Sequence, residues 1–244
     1  MNVPNDSPLL VTTENGVRLL TLNRPEQRNA FTVDLYQALT GALHEADGDG
    51  SIGAVVLTGA GPAFCSGTDL GELAALVAGE VPEGAAGGFP GLLDALMEIH
   101  VPLVAAVNGP GVGLGFTILS FCDLVYMAET ARLRAPFAEM GVPPEAASSY
   151  LLPMRMGWQR AARCLLGGEW LAADEAVAAG IATEVCPTGE VLSRAVAGAE
   201  RIAAGPAGAA RTIKTLMQAA QHDAVTAARG REDAAYIDLF KTAR

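Results

Sequence analysis

Val104–Asp123 reads VAAVNGPGVGLGFTILSFCD. The first four residues are apolar and partly β-branched, as a buried strand requires. Gly109, Gly111, Gly113 and Gly115 then mark a turn, and an apolar helix is expected to begin near Gly113. A strand, a glycine turn and a helix in that order leave unpaired backbone N–H groups at the positive end of the helix, aimed into a cleft. An enzyme that must hold a negative oxygen would use such a place.

A second segment has the same layout. Ile52–Thr58 is a β-branched run, Gly59–Asp69 (GAGPAFCSGTD) is a turn, and a helix is expected from Leu70 to about Val77. One such turn alone is read as close helix–strand packing. Two turns facing one cleft would each give a backbone donor to one oxygen, which is how an oxyanion hole is built.

The other elements place these turns in a larger pattern. Leu9–Glu14 and Val17–Leu22 flank Asn15-Gly16, a type I′ hairpin signal. A polar loop follows to Phe31, then a helix from about Thr32 to Ala46. Ala78–Pro90 offers no packing face and is read as a mobile loop, before a helix at Leu92–Ile99. Strands are expected at Leu124–Ala128 and Ala131–Pro136, and a helical region from Pro144 through Leu166 with a break near Met156-Gly157. A short helix at Ala173–Ala179 and a strand at Ile181–Val185 complete the alternation. Three helices (191–204, 207–221 and 224–240) end the chain. The fold class is α/β, with a core over residues 1–187 and a helical region over 188–244.

Composition narrows the function. Half of the 244 residues are hydrophobic, and 16 Lys+Arg against 27 Asp+Glu give a formal charge of -11. That balance argues against nucleic acid or an anionic membrane as a partner. Cys65, Cys122, Cys164 and Cys186 form no Cys-x-x-Cys, which suggests reduced thiols and a cytoplasmic location. His44, His100 and His222 lack metal-ligand spacing, so no metal is expected. Neither a leader nor a bilayer-spanning run is read, and the final Lys-Thr-Ala-Arg is not a peroxisomal address.

The motifs together resemble the crotonase, or enoyl-CoA hydratase/isomerase, family. Leu22-Asn-Arg-Pro-x-x-Arg-Asn-Ala-Phe31 is similar to its first CoA-contacting loop, and Phe64-Cys-Ser-Gly-Thr-Asp-Leu70 to its first oxyanion segment. Ala106–Gly115 with Cys122-Asp123 is similar to the second, and Ala173–Ile181 to the segment after the active-site region. The resemblance implies a spiral of β-β-α units with C-terminal helices that drive trimerisation, as a homotrimer or a dimer of trimers. It implies an acyl-CoA thioester as ligand, with CoA entering as part of the substrate and no separate cofactor. It places the oxyanion donors at the N–H groups of Thr68 and Leu114. Arg28, Ala30, Cys65, Ser66, Gly67, Asp69, Gly113 and Phe137 are the implied substrate-binding residues, Arg28 towards a CoA phosphate.

The departures from the family pattern choose the chemistry. Hydratases of the family carry one glutamate where this chain has Thr117 and a second where it has Phe137. Pro143-Pro-Glu-Ala-Ala-Ser-Ser-Tyr150 is instead similar to the segment in which Δ3,Δ2-enoyl-CoA isomerases carry a single catalytic glutamate, and Glu145 is the match. Isomerisation needs one base and an oxyanion hole. An apolar surround from Leu114, Phe116, Phe137 and Met140 would raise the Glu145 pKa. The alternatives are a hydratase using Glu139 or Asp69 beside Glu145, and a non-catalytic acyl-CoA-binding protein. Read without the resemblance, Glu145 is a first-turn acid of a helix starting at Pro144, Thr117 bonds the preceding helical turn, and Asp69 caps a helix. Asp123 anchors a turn, and Lys241 is either a solvated cation or a contact to a neighbour's ligand.

Overall fold

The hairpin forms where Asn15-Gly16 predicts. Both residues have positive φ, 50° and 74°, as a type I′ turn requires. It joins β1 (Leu9–Glu14) to β2 (Val17–Leu22), with Glu14 opposite Val17. The computed structural model describes residues 7–69, 71–72, 88–206 and 208–242, with side chains described through Leu239.

After α1 (Val33–Gly48) come β3 (Ala54–Gly59), α2 (Phe89–Glu98), β4 (Leu103–Val107) and β5 (Gly111–Val112). Then follow α3 (Leu114–Thr117), β6 (Leu124–Ala128), β7 (Arg132–Arg134), α4 (Ser148–Met156) and α5 (Trp158–Leu165). The chain continues through β8 (Leu171–Ala172), α6 (Ala173–Ala178), β9 (Glu184–Cys186) and α7 (Val191–Ala203), and then α8 (Ala209–Ala219) and α9 (His222–Thr242).

The strands form two lines of pairing. The larger sheet has the order β1-β2-β3-β4-β6-β9 and is parallel after the hairpin. The smaller has the order β5-β7-β8, and single bridges Cys65–Gly111 and Phe31–Thr68 extend the same pattern through earlier segments. Each winding therefore adds one strand to the large sheet, makes one short pairing in the second line, and returns through a helix. This is the expected spiral of β-β-α units. Every residue of β3 and β4 is buried, as parallel strands covered on both faces must be. The helix α7 lies across β3, β4 and β6, although it falls in the segment read as a helical appendage.

Several boundaries differ from expectation. α2 starts at Phe89, with Pro90 in its first turn, where proline costs no hydrogen bond. Residues 78–87 of the expected loop, and residue 70 and residues 73–77 of the expected helix, lie outside the described residues, while Gly71 and Glu72 are helical. The last strand is Glu184–Cys186, and β8 was not anticipated at two residues long. α4 begins at Ser148 rather than Pro144, because Ala146 and Ala147 take positive φ, 59° and 53°, and interrupt any helix there.

The loop after β2 is fixed by one buried side chain. Arg28 and Asn29 both lie in the left-handed region, which Asn tolerates better than most residues. Asn29 is fully buried. Its Nδ2 donates to the carbonyls of Ala60 and Ala63, each at 2.9 Å, and its Oδ1 accepts from Arg24 N–H at 2.9 Å. These bonds join the loop to the turn after β3. Asn29→Ala strips two carbonyls and one N–H of a partner, so it is expected to lower stability by about 1–3 kcal/mol. A fall in the urea midpoint without a change in m would show it.

Candidate active site

The two glycine turns meet. Gly67 has φ 92°, and a Cβ added there would stand 2.9 Å from the Val112 carbonyl oxygen and 3.6 Å from the Leu114 nitrogen. Gly113 has φ 55° and turns the chain into α3, so Leu114 is the first helical residue. Its N–H is one of the orphan donors of a helix start. In the first turn, Gly67 carbonyl and Asp69 N–H are bonded to Phe31, which leaves Thr68 N–H between them. Among the described residues, neither Thr68 N–H nor Leu114 N–H has a backbone acceptor. The Thr68 hydroxyl lies 2.9 Å from the Tyr36 hydroxyl, which fixes its rotamer.

Both turns open into a cavity of about 480 Å³. Gln27, Arg28 and Ala30 border it from the first loop, Ser66–Asp69 from the first turn, and Val112–Leu114 from the second. Pro136, Phe137, Met140, Val142 and Glu145 form the opposite wall, and Tyr236 enters from α9. Every implied site residue except Cys65 is on this surface. The Cys65 side chain is buried, its sulfur 3.3 Å from the Gly67 nitrogen, and its backbone carbonyl packs against Gly115, where an added Cβ would be 2.3 Å from the Cys65 oxygen. Burial pushes the Cys65 thiol up to about 12, so it supports the turn from behind. Phe116, expected in the apolar surround, is also buried and off the cavity surface.

Glu145 is the carboxyl that the cavity exposes without a partner: among the described residues no hydrogen bond holds its side chain. It keeps a partly exposed edge towards the cavity, yet protein atoms surround the carboxyl on its other sides. Burial, and then the nearby Glu232 carboxylate, push it up from 4.5 to about 8. Asp69 also borders the cavity, but it is held: Gly71 N–H donates to Oδ1 at 3.0 Å and Arg24 lies 3.4 Å from Oδ2. The capping role read from the sequence is the geometry found. Glu139 is turned away, paired with Arg134 at 2.5 Å. Thr117 is fully buried, and its hydroxyl has no partner, so the expected bond to the preceding helical turn is not made. Asp123 accepts from Leu103 N–H at 2.7 Å and from Lys214 at 2.8 Å, outside the cavity. The Lys241 side chain lies outside the described residues.

Sequence reading did not find Tyr236, Tyr36, Gln27 or Val142. Tyr236 and Tyr36 sit on helices with no motif around them; the folded chain brings Tyr236 to the cavity and sets the buried Tyr36 behind it, against the Thr68 hydroxyl. The burial that raises the Tyr36 phenol well above its usual range, together with Glu145, keeps it neutral.

Comparison with known proteins bears on the family and the fold. A family model described as enoyl-CoA hydratase/isomerase matches residues 12–244. Enoyl-CoA delta isomerase 2 of Rattus norvegicus is 41% identical over 182 residues, 73% of this chain and 46% of that protein. The chain thus spans about half the length of that curated relative. A probable enoyl-CoA hydratase of Rhodobacter capsulatus is 34% identical, covering 84% of this chain and 78% of that one. Among solved structures, an enoyl-CoA hydratase/isomerase from Pseudoalteromonas atlantica T6c superposes with TM-score 0.87 at 36% identity, over 95% of this chain and 90% of its own. An enoyl-CoA hydratase from Mycobacterium marinum gives 0.81 at 44%, over 86% and 99%. A match of this extent, on a spiral fold whose two glycine turns share one cavity, has one consequence: the chain belongs to the enoyl-CoA hydratase/isomerase family.

Proposed function

We propose that this chain is an acyl-CoA isomerase that moves a double bond from the 3 to the 2 position, with Glu145 as its single acid/base. The observation that carries this reading is the isolation of Glu145. It borders the cavity unpaired, whereas Asp69 is capped and ion-paired and Glu139 points elsewhere. The two positions where hydratases of the family carry glutamates hold a buried threonine and an apolar ring, Thr117 and Phe137. The relatives named delta isomerases, from Rattus norvegicus and Mus musculus, support the same choice.

The chemistry balances on one carboxylate. Ionised Glu145 takes a proton from C2 of a 3-enoyl thioester, and the C–H electrons pass into a dienolate. Its oxygen accepts hydrogen bonds from Thr68 N–H and Leu114 N–H. The carboxylic acid returns the same proton to C4, the double bond settles between C2 and C3, and the carboxylate is restored. Each N–H is expected to stabilise the dienolate by about 3 kcal/mol. Phe137, Leu114 and Met140 keep water from the carboxyl between the two steps.

Wild type and Glu145→Gln, each given 3-hexenoyl-CoA and 2-hexenoyl-CoA, test the reading. Isomerisation is expected to fall about 10²- to 10⁴-fold in the variant with KM little changed. Hydration of 2-hexenoyl-CoA that survives the substitution would overturn the single-base mechanism. CoA-ester binding without turnover of either substrate would mark a binding protein instead.

Because the base must be ionised, kcat/KM for isomerisation should rise with pH through about 8 and level off above it. The same group sets an opposite trend in stability. A carboxyl raised in the folded state favours folding below its unfolded pKa, and that contribution is lost as pH climbs from 4.5 to about 8. Thermal unfolding should therefore show Glu145→Gln gaining on wild type across that window, by on the order of a few kcal/mol.

The same reading implies a homotrimer or a dimer of trimers. Ile213, Leu216 and Met217 stand exposed at helical spacing on one face of α8, which suits burial against a second copy. Sedimentation should give a multiple of three, and Leu216→Glu should shift it towards smaller species; a wild-type monomer would refute the assembly.

A further inference from the structure

The loop that carries Glu145 is held from below by a second carboxylate. Glu232 lies on α9 and is 5% exposed. Its Oε2 accepts from Ala147 N–H at 2.7 Å and its Oε1 from Ser149 N–H at 2.8 Å. Those N–H groups belong to the start of α4, where a serine or aspartate at the N-cap would ordinarily accept. Here the N-cap is Ala147, which has no acceptor, and Ala146 and Ala147 both sit in the left-handed region. Two consecutive non-glycine residues in that region persist only when their surroundings dictate it. Glu232 supplies that constraint from a helix far along the chain, and Ala147 packs with Val225 and Ala228 of the same helix.

We propose that Glu232 is the positioning residue for the catalytic base: its carboxylate locks the Ala146–Ala147 turn and so aims Glu145 into the cavity. The proposal rests on Glu145 being the acid/base, as read above. Burial raises the Glu232 carboxyl above its usual range, and the backbone N–H bonds it accepts from Ala147 and Ser149 pull against that rise by favouring the ionised form. The group that holds the loop is thus also a negative neighbour of Glu145. The other titratable groups facing Glu145 are Tyr236 on α9, Tyr36 on α1 and Cys65 in the first turn, all raised by burial and neutral near pH 8. Arg28 and Asp69 border the same cavity, Asp69 against Arg24. Among the described residues, Glu232 alone combines contact with the loop and a charge beside the base.

Two variants separate the two roles. Glu232→Gln removes the charge and one acceptor, and Glu232→Asp keeps the charge but withdraws it by one methylene. The Glu145 titration is read without substrate, from the carboxyl band in the infrared difference between each protein and its Glu145→Gln counterpart. Turnover of 3-hexenoyl-CoA is measured beside it. In Glu232→Gln the midpoint of Glu145 is expected to fall by at least about half a unit from about 8, and kcat about 10- to 100-fold with KM nearly constant. In Glu232→Asp the midpoint should stay near the wild-type value while kcat falls. Unchanged kcat and midpoint in Glu232→Gln would overturn the proposal, as would a loss confined to thermal stability in both variants. If the midpoint moves as expected but even wild type fails to isomerise, the functional reading fails while the coupling of Glu232 to Glu145 stands.

Discussion

A carbonyl oxygen of one winding of the spiral rests on the α-carbon of the next. A Cβ at Gly115 would lie 2.3 Å from the Cys65 oxygen, and one at Gly109 would lie 2.1 Å from the Pro62 oxygen. Neither contact leaves room for any side chain. The backbone bonds Val112 N–H to Cys65 carbonyl and Phe64 N–H to Pro110 carbonyl run through the same seam. Because the windings touch there, Thr68 and Leu114 are brought to one cavity although they are far apart in the chain. A methyl group at either glycine would push the windings apart and separate the two N–H donors.

That seam explains why so much of the fold could be read from the residues. The glycines needed for close approach, the Asn15-Gly16 turn and the β-branched runs of β3 and β4 are local signals, and each is answered by the structure. Ser66, Gly67, Asp69 and Gly113 line one surface for the same reason, because they sit in turns whose geometry Gly67 and Gly113 set, whereas Arg28 and Ala30 reach it on the loop that Asn29 fixes. Cys65 illustrates the limit. It lies within a motif that reaches the cavity, but alternation along a short extended segment turns its side chain inward.

What could not be read depends on contacts distant in sequence. Local propensity runs a helix straight through Pro144–Tyr150, since alanine is the best helix former. The chain instead turns left-handed at Ala146 and Ala147. Each non-glycine residue there costs about 1–2 kcal/mol. Their methyl groups are buried, 2% and 1% exposed, and Ala147 joins a small cluster with Leu151, Val225 and Ala228. Packing against α9 and the bonds to Glu232 offset the strain, and neither leaves a mark on residues 143–150.

The C-terminal helix is therefore part of the site rather than an addition to it. Arg229 on α9 reaches Asp94 and the Pro90 carbonyl of α2, Glu232 holds the loop before α4, and Tyr236 closes the cavity. These three residues follow one another at helical spacing of three and four, so one face of one helix meets α2, the Glu145 loop and the cavity in succession. The proton-holding role proposed for Glu145 calls for an environment poor in water, and such an environment is costly to build around a carboxyl. The spiral alone leaves that loop uncovered on the α9 side. The cost is met by docking a helix that brings its own apolar cluster, its own ion pair and a fixed acceptor for the two N–H groups the strained turn leaves unpaired.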